Sequence, residues 1–161
     1  MWRFCRFGCH TPLTPSNTCF CFRVAATNKH ELQSLGVTHV LNCAYGTKAF
    51  GNARVETGFF DDVGIQLHQI LADDRPNFKI STIFEETNTF ISQAIASGGR
   101  IFVYCMEGFS RSATVVIAYL MYEKRMSVRN AVEAVRRRRE VCPNEGFLQQ
   151  LIDYGYEIGV C

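Results

Sequence analysis

Long apolar runs are missing from this 161-residue chain. No stretch approaches the roughly 18 consecutive apolar residues of a membrane-spanning helix. Met1 to Thr18 carries basic side chains but no continuous apolar segment, so no secretory signal is expected. An excess of charge of one sign is missing too. Seventeen Lys and Arg against fifteen Asp and Glu leave a net charge of +2, too little to point to nucleic acid. There are no internal repeats and no linker, which leaves one domain. The four histidines, His10, His30, His39 and His68, show no catalytic spacing. What is present is ordinary for a globular protein: 47% hydrophobic and 20% charged residues, sufficient for a core.

Cysteine, by contrast, is plentiful, with eight copies. Cys5, Cys9, Cys19 and Cys21 crowd the N-terminus beside His10. Their Cys-x3-Cys-x9-Cys-x-Cys spacing matches no strong zinc template. Residues 1–22 therefore read as a Cys-rich, poorly ordered arm before a domain at 23–161. Cys43, Cys105, Cys142 and Cys161 are scattered, which fits a reducing, cytoplasmic setting.

The stretch Arg100-Ile101-Phe102-Val103-Tyr104-Cys105-Met106-Glu107-Gly108-Phe109-Ser110-Arg111-Ser112 carries the chemistry. Cys105 ends an apolar run that reads as a buried strand. Arg111 follows five residues later, and an amphipathic helix, Ser112 to Lys124, begins directly after it. A loop of this length wraps its backbone N–H groups around one oxyanion. The following helix adds its leading donors and the positive end of its dipole. Arg111 clamps two phosphate oxygens with its planar fork. The same groups favour the thiolate of Cys105 before substrate arrives. Gly108 permits close approach of the loop to a ligand. Met106, Glu107, Gly108, Phe109 and Ser110 form the substrate-binding loop, and Ser112 is placed to stabilise the thiolate when it leaves. The implied chemistry is hydrolysis of a phosphate monoester through a cysteinyl-phosphate.

Other cysteine or phosphate chemistries fit less well. The loop interior has no Lys or His for a phosphoinositide or RNA substrate, and Glu107 repels one. A papain-like enzyme needs a His base, and none can be assigned.

Elements around this segment alternate. Asn28, with Glu31 after it, reads as a helix start, and Gly36 as its stop. Val37 to Asn42 and Gly64 to Ile70 read as strands, Ser81 to Ala96 as a helix, and Ile101 to Val103 as the central strand. Ser127 caps a further helix, and Phe147, Leu148, Leu151 and Ile152 mark the last. Such alternation predicts an α/β fold with a mostly parallel sheet flanked by helices.

Five segments in this order resemble the small atypical dual-specificity phosphatases of the protein tyrosine phosphatase superfamily, in the vaccinia-H1-related branch. They are Leu35 to Asn42, Ala72-Asp73-Asp74, Cys105 to Ser112, Ala118 to Met121 and Pro143 to Leu148. The similarity runs from about Asn28 to Gly159. It implies activity on phosphotyrosine and on phosphoserine or phosphothreonine in a shallow site, with no metal and no cofactor. Phosphorylated proteins, protein kinases among them, are the implied partners, in cytoplasm and nucleus. It also implies that Asp74 is the general acid, with adjacent Asp73 as the second candidate. Arg139 matches a position that helps bind a second acidic group; the other reading of Arg136 to Arg139 is a basic helix end. Some cysteine phosphatases keep a second cysteine where Cys43 falls, and it traps an oxidised nucleophile as a disulfide.

Two departures stand out. The family places His before the nucleophile, and this chain has Tyr104, with one hydroxyl in place of two ring nitrogens. A pseudophosphatase that binds phosphoproteins with little turnover is therefore the alternative. The other departure is the N-terminus, where Phe20 to Val24 stands in for part of the family's first strand.

Overall fold

The computed structural model describes residues 18–22 by their backbone, and residues 26–46 and 55–161 in full. Cys5, Cys9 and His10, and with them the zinc question, lie outside the described residues, as does most of the loop from Tyr45 to Gly58. Four strands and five α-helices are described: β1 (Thr18–Phe22), α1 (Lys29–Ser34), β2 (His39–Tyr45), β3 (Gln66–Leu71), α2 (Phe84–Ala96), β4 (Ile101–Cys105), α3 (Arg111–Lys124), α4 (Val128–Arg136) and α5 (Glu145–Glu157). The strand order is β1-β4-β2-β3, and every pair is parallel. The expected parallel sheet is what forms.

β4 lies inside the sheet, and all five of its residues are buried. A strand covered on both faces needs a continuous apolar run, and Ile101 to Cys105 supplies one. Phe22 of β1 stands opposite Cys105, so the first strand comes from a segment read as part of the arm.

Several elements differ from the sequence reading. β2 runs on to Tyr45 because β3 and β4 flank it and Val40 to Ala44 is entirely buried; Cys43 is inside the strand, not at its end. Ile80–Ile83 is a 3₁₀ turn, so α2 begins at Phe84. α3 reads as amphipathic but is buried on all sides from Arg111 to Met121. It is the central helix, and α2, α4 and α5 pack against it.

The caps hold as read. Asn28 accepts from the Glu31 N–H, and Gly36 closes the turn after α1 at φ +73°. Ser127 accepts from the Asn130 N–H at the start of α4. A cap not read from the sequence, Asn144, accepts from the Phe147 N–H at the start of α5.

Candidate active site

Parallel topology places the carboxyl ends of β2, β3 and β4 together, where ligands of α/β sheets bind. β4 delivers Cys105 there. Its Sγ accepts a hydrogen bond from the Gly108 N–H at 3.2 Å, and the Ser112 hydroxyl lies 3.2 Å away. Both favour a sulfur that carries negative charge. Gly108 has φ +71°, a left-handed conformation that lets its N–H turn back onto the sulfur.

Arg111 is the first residue of α3 and is almost fully buried. Its Nη1 donates to the Ala72 carbonyl at 3.1 Å, and its Nε lies 3.5 Å from Asp74 Oδ2. The guanidinium thus joins the phosphate loop to the segment after β3. A charge this deep is tolerable only with partners, and these supply them.

Asp74 keeps a third of its side chain exposed. Its Oδ1 accepts from the Ser110 hydroxyl at 2.7 Å and from Asn144 Nδ2 at 2.9 Å. Asn144 also donates its backbone N–H to Ser110 Oγ at 3.3 Å. Ser110 reads from the sequence as a lining residue of the loop after Cys105; its hydroxyl instead goes to Asp74. Ser110 is also the cap position of α3, yet its side chain does not cap the helix. The leading N–H groups of α3 are thereby left to an anion. Asn144 is the site residue that sequence reasoning missed. Its signal was its place in the matched Pro143 to Leu148 segment.

The remaining loop residues surround this centre. Glu107 is exposed, Met106 and Phe109 are half-buried, and the Phe109 carbonyl accepts from the Cys142 N–H at 3.1 Å. Arg139, half-buried, lies in the turn between α4 and Cys142. Tyr104 is fully buried beside Phe102, with ring centroids 5.9 Å apart. Strand alternation sends it to the opposite face from Cys105. Cys43 directly follows Asn42, the last β2 residue paired with β4, and lies near enough to Cys105 to feel its charge. Burial, and then the neighbouring Cys105, push the Cys43 thiol well up, against the opposing pull of Arg111.

A buried cysteine, an arginine and a carboxylate thus gather at one sheet edge. The dual specificity phosphatase catalytic domain family matches residues 20–157, and the chain belongs to it. It is a dual-specificity protein phosphatase, a hydrolase whose substrates are phosphoproteins.

Solved structures agree. Human DUSP28 superimposes with a TM-score of 0.78 at 26% identity, over 94% of this chain and 95% of that one. It has also been solved with a tyrosine-to-histidine substitution. The human tyrosine phosphatase-like serine/threonine/tyrosine-interacting protein gives a TM-score of 0.79 at 27% identity, over 92% and 96%. The Yvh1 phosphatase domain from Chaetomium thermophilum gives 0.71 at 27%, over 88% and 91%.

Proposed function

We propose that the chain cleaves phosphotyrosine and phosphoserine or phosphothreonine through a cysteinyl-phosphate, with Cys105 as nucleophile, Arg111 as phosphate clamp and Asp74 as acid and base. The observation that carries this is Arg111, which spans from the nucleophile's loop to Asp74 Oδ2 at 3.5 Å. Phosphate gripped by Arg111 lies between sulfur and carboxyl, as in-line displacement needs.

In the first step the Cys105 sulfur forms the S–P bond as the P–O bond to the leaving group breaks. The Asp74 carboxyl gives its proton to the leaving oxygen. In the second step the Asp74 carboxylate takes a proton from water, the resulting oxygen attacks phosphorus, and the sulfur leaves as thiolate. Ser112, 3.2 Å from Sγ, stabilises that leaving thiolate. Arg139 is proposed to meet a second acidic group of the substrate. Reversing its charge should weaken bisphosphorylated peptides more than small aryl phosphates, and equal effects would remove it from the site.

The test is hydrolysis of an aryl phosphate with acid quench. Wild type should show a burst and a phosphate-labelled Cys105 peptide, and Cys105→Ser should show neither. Turnover that survives in Cys105→Ser refutes the mechanism.

Tyr104 favours a second reading, a phosphoprotein-binding pseudophosphatase. The similarity to a phosphatase-like interacting protein supports it. Under that reading wild type shows no turnover and Tyr104→His restores it.

A further inference from the structure

The segment that carries Asp74, between β3 and the 3₁₀ turn at Ile80–Ile83, contains no helix or strand. It is held in place by the N-terminal turns of α5 and their cap. Asn144 donates from Nδ2 to Asp74 Oδ1 at 2.9 Å. Two residues on, Gly146 packs so tightly that a Cβ there would lie 1.9 Å from the Pro76 carbonyl oxygen and 2.5 Å from its carbon. One turn further, Gln150 donates to the Phe78 carbonyl at 2.8 Å and accepts from the Ser81 N–H at 3.0 Å. These contacts fall at both ends and in the middle of the loop.

We infer that α5 is the positioning element for the general acid: Asn144, Gly146 and Gln150 fix the acid loop, and Asn144 with Ser110 selects the carboxyl oxygen that carries the transferable proton. The inference rests on the reading of Asp74 as the acid.

The oxygen assignment follows from lone pairs. A carboxyl oxygen offers two acceptor sites. Oδ1 fills both, with Ser110 at 2.7 Å and Asn144 at 2.9 Å. A proton on Oδ1 displaces one donor and leaves a polar group unpaired. The proton therefore belongs on Oδ2, the oxygen turned toward Arg111 at 3.5 Å and so toward the phosphate that Arg111 holds. When Oδ2 gives that proton to the leaving oxygen, both bonds to Oδ1 persist. When water later returns a proton, it returns to Oδ2. One fixed geometry serves both steps, and no rearrangement of the loop is needed between them.

A purely structural role for α5 would lower every substrate alike. A positioning role lowers only those whose leaving group needs a proton. Gly146→Ala, Gln150→Leu and Asp74→Asn are compared with wild type on phenyl phosphate and on 2,4-dinitrophenyl phosphate. The phenolate of the first leaves poorly without a proton, whereas that of the second leaves unaided. Rates are normalised to the folded fraction measured by circular dichroism, so unfolded protein is not counted. Asp74→Asn should lower kcat on phenyl phosphate by about 10²–10⁴-fold and far less on the dinitro ester. Gly146→Ala and Gln150→Leu should show the same selectivity at about 10- to 10²-fold, the range of a displaced catalytic group. Equal loss on both substrates in these two variants, beside a selective Asp74→Asn, overturns the positioning role. An unselective Asp74→Asn removes the acid assignment and this inference with it. Should Gly146→Ala fail to fold, Gln150→Leu alone decides, because Gln150 is half-exposed and its loss leaves the helix intact.

Discussion

The two halves of the site are built in opposite ways. The phosphate half is local. Cys105 and its two partners, Gly108 and Ser112, lie within seven residues of one another on a single strand, loop and helix. The acid half is assembled from afar. Asp74 is held by residues 36 and 70 positions away, and its loop by Gln150, 69 and 72 positions from its partners. Local geometry survives as long as one strand and one helix form. Non-local geometry needs α5 seated correctly against α3, so small packing errors reach it first. The phosphate half should therefore persist in variants that lose the acid half, and not the reverse.

Arg111 is where the comparison can be broken most severely, because it belongs to both halves. Arg111→Lys keeps the charge but loses the fork that reaches both the phosphate and Oδ2. kcat/KM should fall by about 10²–10³-fold on every substrate, as for loss of a preorganised electrostatic donor. Steady-state kinetics on both aryl phosphates checks this. A loss confined to phenyl phosphate would place Arg111 in the acid half alone.

Ser112 and Ser110 sharpen the contrast, since two positions in sequence put them in different halves. Ser112→Ala removes the hydroxyl beside Sγ and should slow the second step by about 10- to 10²-fold, the worth of a hydrogen bond to a charged group. The burst should then become larger relative to turnover. Ser110→Ala removes a donor to Asp74 and should slow the burst itself on phenyl phosphate while sparing it on the dinitro ester. Pre-steady-state traces separate the two, and identical behaviour would merge the halves.

The same division governs what the sequence makes legible. Cys105, Gly108, Arg111 and Ser112 could be read because a strand, a turn and a helix start are short-range patterns. The parallel sheet was readable for the same reason, from alternating elements. Asp74 came only by resemblance, since one loop carboxylate carries no signal of what it faces. Asn144 stood inside the matched Pro143 to Leu148 segment, but nothing there marked it as a partner of Asp74. Gly146 carries a signal of its own: Gly inside a helix costs about 1 kcal/mol relative to Ala, which calls for a close backbone neighbour. That neighbour is Pro76, 70 residues earlier. Tyr104 was read through the residue it replaces, whereas the strand's alternation turns it away from the sulfur.

The oxidised state tests the sheet beneath the phosphate half. Peroxide converts the Cys105 thiolate to a sulfenic acid; attack by the Cys43 sulfur forms the disulfide and releases water. Adjacent strands lie about 4.8 Å apart, within the Cα range of a disulfide. Because burial pushes the Cys43 thiol up, less of it is thiolate at neutral pH, and trapping should accelerate as pH rises. Non-reducing peptide mapping after peroxide should find a Cys43–Cys105 peptide, with more of it at pH 9 than at pH 7. Sulfinic acid at Cys105 without that peptide, at both pH values, rejects the pairing.

The smallest effect belongs at the opposite edge of the sheet, outside both halves. His39 opens β2, with Nδ1 2.8 Å from the Thr38 hydroxyl and its ring 5.6 Å from that of Phe90. Desolvation lowers its pKa, and a hydrogen bond with Gln66 opposes the shift. The sign follows: the unfolded chain binds the proton more readily, so the contribution is present above about pH 6.5 and is lost as pH falls below it. One group changes stability by at most about 1.4 kcal/mol per pH unit, and partial exposure keeps His39 beneath that limit. Thermal unfolding of wild type and His39→Asn at pH 7.5 and 5.5 should show a slightly smaller acid loss in the variant. Turnover per folded molecule should be unchanged, because His39 touches neither the phosphate loop nor the acid loop. A change in turnover equal to that of Ser110→Ala would show that the far edge of the sheet reaches the site and that the two halves are not separable from the core.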